Sequence, residues 1–227
     1  MTYSNATLKR LAKLKQKKYR ETDHLFLAEG VTLFEEATIS PEHLFTDHES
    51  VSKLSTLITP TGPVGVFPFL DVPVGELLAK RDRIVFLHTV QDPGNVGTVI
   101  RAAHAFGAGV ALSAGTADLY NPKTVRATMG SIFHAPIARE LQPLAFLKEA
   151  EALRFITVAA LPEGAELSSS LSAKKLVIVV GAEGAGLPEE VISACQSAVT
   201  IPVLAESLNA AVAASILLYE AYNRVLP

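Results

Sequence analysis

The sequence predicts an α/β protein, a mostly parallel sheet with helices on both faces, preceded by a small α/β module. Two observations carry this. From Ile84 onward, short continuous apolar runs alternate with helical segments, the pattern of strands buried on both faces. Before that point the apolar pieces are shorter and are broken by Pro41, Pro60, Gly62, Pro63 and Pro68, as in a small module with tight connections. A charged stretch, Lys80-Arg81-Asp82-Arg83, separates the two parts and sets their extents at residues 1–80 and 84–227.

Each element has its own local reason. Leu8, Leu11 and Leu14 recur every three residues among lysines, so the N-terminus reads as a basic amphipathic helix. Phe26-Leu27-Ala28-Glu29-Gly30 reads as a strand running into a helix over Val31 to Ala37. Leu44-Phe45 and Val64 to Phe67 are further short apolar pieces, and Val74 to Arg83 reads as a connecting helix. Ile84 to Val90 is an apolar strand. The helix from Val96 to Phe106 is closed by Gly107, a residue suited to the left-handed position after a helix. Gly109 to Leu112 is a strand, and Asn121 to Gly130 is a helix with Pro122 at its first position. A helix over Leu144 to Leu153 follows, then strands at Phe155 to Ala160 and Leu176 to Val180. Pro188 to Ala194 is a short helix, Val199 to Val203 a strand, and Ser207 to Arg224 the last helix.

Composition removes several classes. The 227 residues are 49% hydrophobic and 19% charged, which excludes a disordered chain. No window reaches eighteen apolar residues, and no signal peptide is visible, so a cytoplasmic protein is expected. Cys195 stands alone, and the histidines at 24, 43, 48, 88, 104 and 134 show no ligand spacing, so no metal is expected. Charge is uneven. Residues 1–24 hold seven bases and two acids, whereas the rest holds 13 bases and 21 acids. A cationic arm on an acidic body fits a polyanionic partner, and a solvated helix is the competing reading. The bases concerned are Lys9, Arg10, Lys13, Lys15, Lys17, Lys18 and Arg20.

Three loops follow strands at their carboxyl ends, where open α/β sheets bind ligands. In the first, Asn95 suits an N-cap with Gly94 before it. Arg101 lies six residues into the helix, and its guanidinium can reach back toward the loop. A cation there opposes the helix dipole, which favours a functional purpose over a structural one. The second loop, Gly181 to Pro188, has three glycines in six residues, which let a ligand approach the backbone. Their order differs from the dinucleotide fingerprint, although Glu206 falls twenty residues beyond Gly186, where a ribose-binding acid would stand. In the third, Ser207 suits an N-cap. Asn209 opens a helix apolar on nearly every side, so its amide is expected to be buried and to need a loop or ligand partner.

Together the loops form a longer pattern. Pro93-x-Asn95-x-Gly97-x-x-x-Arg101-x-Ala103-x-Ala105-Phe106-Gly107, then Gly181-x-Glu183-Gly184-x-Gly186-Leu187, then Ile201-Pro202 and Ser207-Leu208-Asn209, resemble the three motifs of the SpoU (TrmH-like) RNA 2′-O-ribose methyltransferases of the SPOUT superfamily. Asn121-Pro122-Lys123-x-Val125-Arg126-Ala127-x-Met129-Gly130 is similar to the family's intermediate stretch. Tyr19-Arg20 and Phe26 to Gly30 are similar to the start of its small RNA-recognition module. One departure is visible, Ala210-Ala211 standing where the family usually has Val-Ser.

The resemblance implies a C-terminal trefoil knot whose loops hold S-adenosylmethionine, and a homodimer packed through the small-residue face of the last helix (Ala210, Ala213, Ala214, Leu217). Gly181, Ala182, Gly184, Gly186, Leu187, Ile201, Leu208 and Asn209 would surround the cofactor. Arg101 would act on the ribose hydroxyl, Asn95 and Asn209 would orient substrate and loops, and Ser207 and Glu183 would support them. Lys123 and Arg126 would join the basic arm in contacting RNA, ribosomal RNA ahead of transfer RNA. A catalytically silent RNA-binding protein and a Rossmann-type nucleotide enzyme are the alternatives.

Overall fold

The computed structural model describes residues 3–60, 62–164 and 169–224. The N-terminal part is a three-stranded antiparallel sheet. Its central strand β3 (Val64–Pro68) pairs with β1 (Leu25–Glu29) on one side and with β2 (His43–Phe45) on the other. The basic segment is not one helix. It is α1 (Asn5–Ala12), a 3-10 turn (Lys13–Lys15) and α2 (Lys17–Asp23). Leu8, Leu11 and Leu14 are buried against Leu25, Leu27, Phe45 and Val66 of this sheet. Each such side chain stabilises the fold by roughly 1.5–3 kcal/mol, so the arm is structural as well as cationic. Helices α3 (Val31–Glu35), α4 (His48–Leu54) and α5 (Val74–Lys80) complete this half.

The second sheet has six strands, all parallel, in the order β6-β5-β4-β8-β7-β9. These are β4 (Arg83–Leu87), β5 (Gly109–Ser113), β6 (Ile137–Leu141), β7 (Ile156–Leu161), β8 (Leu176–Val180) and β9 (Ser197–Thr200). Side chains alternate between its faces as a pleated strand requires. Val85 and Leu87 join one core, which includes residues of α6 (Pro93–Ala105), α7 (Pro122–Ala127) and α10 (Ala210–Asn223). Ile84 and Phe86 join the other, which includes α5, α8 (Pro143–Ala152) and α9 (Glu189–Ser193).

Several expectations need correction. Strand β4 ends at Leu87 and β9 at Thr200, so Ile201 to Val203 belong to a loop. Strand β6 was not expected at all. Asp92, not Asn95, caps α6, its carboxylate accepting the Gly94 N–H at 2.6 Å, with Pro93 at the first position. Asn209, not Ser207, caps α10, accepting the N–H groups of Ala211 and Val212 at 2.9 and 3.2 Å. Ala210, Ala214 and Leu217 are buried inside the chain, so this face of α10 is already used.

The two halves share one core. Phe26, Ala28, Leu33 and Phe67 of the first pack with Val99, Tyr120 and Phe133 of the second. Polar contacts fix the same junction. Tyr120 stacks on Phe69 with centroids 3.9 Å apart, and its hydroxyl donates to Asp71 at 2.6 Å. Burial, reinforced by the Asp71 carboxylate, pushes the Tyr120 phenol well above its usual range, so it remains the donor. Arg139 forks onto Glu21 at 2.7 and 3.2 Å and reaches Asp71 at 3.1 Å. Arg20 is buried, donating to the Leu14 carbonyl at 2.7 Å and pairing with Asp118.

Candidate active site

The carboxyl ends of β4, β7, β8 and β9 bring the loops together. After β4 the chain is secured by side chains. Thr89 holds a left-handed conformation (φ 53°), and Ser113 Oγ accepts its N–H at 3.0 Å. Gln91 Nε2 donates to the carbonyls of Thr89 and Gly115 at 2.8 and 2.7 Å. Asp92 also receives Lys123 Nζ at 3.0 Å. That bond, then the Gly94 N–H, holds the Asp92 carboxyl below its usual range and keeps it an anionic cap.

Helix α6 enters the site at a fixed height because Gly97 lets α7 pack directly on it. A Cβ at Gly97 would lie 2.5 Å from the Ala127 Cβ and 2.6 Å from the Thr124 carbonyl oxygen. Arg101, one turn on, is exposed and has no hydrogen-bond or ion-pair partner among the described residues. A guanidinium left free beside a packed helix pair is available to an anion.

A polar relay crosses the three loops. Asn209 is exposed, contrary to its expected burial. Its oxygen is committed to the two N–H groups of α10, so its amide nitrogen faces outward and donates to Asn95 Oδ1 at 3.1 Å. The Asn95 nitrogen therefore faces the other way, and it donates to Glu183 Oε1. The sequence motifs thus meet in one chain of hydrogen bonds.

The glycine loop folds back on itself, with Gly186 N donating to the Ala182 carbonyl at 2.9 Å. A Cβ at Gly181 would lie 2.4 Å from Gly186 C and O, so glycine is demanded by the loop itself. Gly184 and Gly186 adopt positive φ (81° and 67°), the left-handed region that favours glycine. Leu187 is buried in the second core, where it anchors the loop instead of facing a ligand.

Between this loop and residues 201–209 lies a cleft of about 800 Å³. Gly181, Ala182, Glu183, Gly184, Gly186, Ile201, Ser207, Leu208 and Asn209 line it, and Leu187, Asn95 and Arg101 do not. Leu161 at the end of β7 and Pro162-Glu163-Gly164 after it also line it and were missed from sequence, and Pro202 of the third motif lines it as well. A proline and a glycine after an apolar strand were the readable signal. Glu206 does border the cleft. Val180, Val199, Ala213 and Leu217 supply apolar wall. Among the described residues, the peptide groups from Val203 to Leu208 have no hydrogen-bond partner.

These features fit S-adenosylmethionine. The apolar wall suits an adenine, and the unpaired peptide groups and close-approach glycines suit polar recognition by backbone. Among the described residues no group of three or more His, Cys, Asp and Glu is arranged around a metal position. Among the described residues no helix is long and apolar enough to cross a membrane.

The remaining cations divide. Lys9, Arg10, Lys13, Lys17 and Lys18 are exposed on the N-terminal segment, with Lys17 3.3 Å from Glu140. Lys123 is exposed beside Asp92, and half-buried Arg126 donates to Thr56 Oγ1 at 2.6 Å. Buried Arg20 is withdrawn from any surface contact with RNA.

Residues 82–219, which hold every loop of the cleft, match the SpoU rRNA Methylase family. The chain belongs to this family. Residues 5–62 of this SpoU-family chain match an MRM3-like substrate binding domain. Over 239 aligned positions it is 36% identical to the 23S rRNA (guanosine(2553)-2′-O)-methyltransferase RlmP of Bacillus subtilis (strain 168), with 95% of each chain covered. A 23S rRNA (uridine(2479)-2′-O)-methyltransferase of Streptomyces viridochromogenes is 33% identical, over 71% of this chain and 61% of that one. The AdoMet-bound rRNA methyltransferase from Sinorhizobium meliloti superposes with a TM-score of 0.90 at 30% identity, covering 100% of this chain and 98% of that one. The SpoU methyltransferase AviRb from Streptomyces viridochromogenes, in complex with AdoMet, does so at 0.84 with 25% identity, covering 97% and 98%.

Proposed function

We propose that this SpoU-family chain transfers a methyl group from S-adenosylmethionine to a ribose 2′-hydroxyl of ribosomal RNA, in the cytoplasm. The observation that carries the reading is the Asn209–Asn95–Glu183 relay, which joins the glycine-loop cleft to the helix presenting unpaired Arg101.

When bound, S-adenosylmethionine supplies an electrophilic methyl group. Residues Gly181 to Gly184, Ile201 and Leu208, which line the cleft, would hold it there. The relay keeps the two sides of the site in register. Arg101 faces the 2′-oxygen as that oxygen releases its proton to solvent and takes the methyl group. A guanidinium is a fixed positive charge, so Arg101 stabilises the negative charge that develops on the oxygen.

The chain path supports the implied knot. After edge strand β9, it returns to place α10 against β8 and α6, at the centre of the sheet. A homodimer is also proposed. Its contact uses the exposed side of α10, where Val212 and Tyr219 are 47% and 49% exposed. Light scattering at micromolar concentration is expected to give twice the chain mass, and a fully active monomer overturns this assembly.

RNA contacts are assigned to Lys9, Arg10, Lys13, Lys17 and Lys18, with Lys123 and Arg126 nearer the cleft. Deleting residues 1–20 is a poor test, because it removes Leu8, Leu11 and Leu14 from a core. Changing the five arm bases to Gln preserves that core. RNA affinity should fall and its salt dependence flatten, by a slope of roughly 0.7–0.9 per lost contact. An unchanged slope refutes the arm's role.

The function itself is tested by methyl transfer to ribosomal RNA from a deletion strain, with 2′-O-methyl mapping. Calorimetry should show binding of S-adenosylmethionine and none of NAD. Absence of transfer to any deletion-strain RNA overturns the proposal.

A further inference from the structure

Helix α6 carries a second ordered feature beyond Arg101. His104, one turn later and about 4.5 Å further along the axis, is exposed on the same helix. Its ring lies flat on that of His134, with centroids 4.5 Å apart and planes 5° from parallel. Each ring is held at its edge. His104 Nδ1 is 3.2 Å from Ser131 Oγ, and His134 Nε2 is 2.9 Å from Glu36 Oε2. Glu36 follows α3 in the N-terminal half, and it sits so close that a Cβ on Gly130 would lie 2.4 Å from its Cβ. The stack is therefore assembled by both halves of the chain.

One neighbouring residue is not explained by packing. Met129 is 45% exposed at φ 49°, a strained position for a side chain of its size. It lies between Ala127, which packs under Gly97, and Ser131, which bonds His104. The segment 127–131 thus runs alongside Gly97, Arg101 and His104. His104 is also a poor phosphate ligand. Partial burial, then the neighbouring His134, holds its pKa below the ordinary histidine value, so the ring is neutral at neutral pH.

We propose that the exposed ring of His104, flanked by Met129, is a stacking platform for one unpaired nucleobase next to the ribose presented to Arg101. This rests on the reading of the chain as an RNA methyltransferase. Single-stranded RNA is recognised by splayed bases stacking on aromatic faces, His included. A ring already immobilised by Ser131 and His134 loses little freedom when a base lands on it. Stacking is tolerant of base identity, so the platform measures the presence of an unpaired base rather than its sequence. Because Glu36 orders the stack, the N-terminal half sets the geometry of a contact made beside the catalytic arginine.

The test uses the full chain with His104→Ala and His104→Phe. Phe keeps an aromatic face and removes the imidazole nitrogens. Three readouts are compared: calorimetry with S-adenosylmethionine, methyl transfer to deletion-strain ribosomal RNA, and quenching of a single-stranded heptaribonucleotide containing 2-aminopurine. The platform predicts that His104→Ala binds the cofactor as wild type, raises the RNA KM by roughly 10-fold, and loses the quench. His104→Phe should recover both. An unchanged KM and quench in His104→Ala overturns the platform. So does a His104→Phe variant that behaves like His104→Ala with a reduced kcat, which would make His104 an acid–base group. A wild-type chain that transfers no methyl group refutes the methyltransferase reading. The quench series then decides the stacking platform separately.

Discussion

Beside the cleft, and joined to it by the relay, the segment from Thr89 to Arg101 is secured by Ser113, Gln91, Asp92 and Lys123, and Gly97 seats its helix against α7. By contrast, Val203 to Leu208 are largely exposed, and their peptide groups have no partner among the described residues. The difference divides the labour. Charge stabilisation gains from groups fixed before the reaction begins, because no reorganisation is then spent in the transition state. Backbone recognition of a ligand gains from a segment whose hydrogen-bonding groups are still uncommitted. The relay through Asn95 is the tie between the two.

Arg101→Ala is expected to have the largest effect. It should lower methyl transfer by at least roughly 10²-fold at saturating RNA, while calorimetry shows nearly unchanged cofactor affinity. Near-normal single-turnover transfer would remove the fixed segment from the chemistry. Gly181→Ala comes next. Its Cβ would meet Gly186 at 2.4 Å, so the glycine loop must move. Cofactor affinity should drop by roughly 10-fold or more, and a wild-type value in calorimetry would mean that the loop yields without cost. Asn95→Ala breaks both relay bonds while leaving Asp92 to cap α6. A loss of several-fold in both cofactor affinity and turnover is expected, since both sides lose register. A change confined to one of them would show that the segments act independently. Ser207→Ala should be smallest in the apo protein, within about 0.5 kcal/mol by thermal melting, because Ser207 is exposed and caps nothing. Any loss of cofactor binding in this variant then reports a direct contact.

The parallel sheet was legible because its strands are continuous apolar runs set between helical segments. Strand β6 escaped because Ile137-Ala138-Arg139-Glu140-Leu141 is an edge strand with two charges, pairing only with β5 and with a register shift between Ala111 and Ser113. Its Arg139 is explained by Glu21 and Asp71, which lie far away in sequence. Arg20 misled for the same reason. Counted as surface charge, it is buried by a partner, Asp118, that spacing along the chain does not reveal. The site was legible at the level of loops, since glycines and polar residues at strand ends stand out in an apolar chain. Which residue of a loop faces the cleft was less so. Leu187 turned to the core, and Asn209 took the cap expected of Ser207.

The aromatic seam formed by Phe26, Phe67, Tyr120 and Phe133 has a consequence for how such enzymes diversify. Phe26 lies on Tyr120 at 4.9 Å, and Phe67 meets Phe133 at 5.0 Å, so the face of the N-terminal sheet that carries Phe26 and Phe67 is closed by the second half. The front end is therefore not a detachable cartridge. A chimaera carrying a foreign recognition segment would leave rings facing a surface of the wrong shape, and a change of target RNA must be reached through drift on the outer face while the seam is kept.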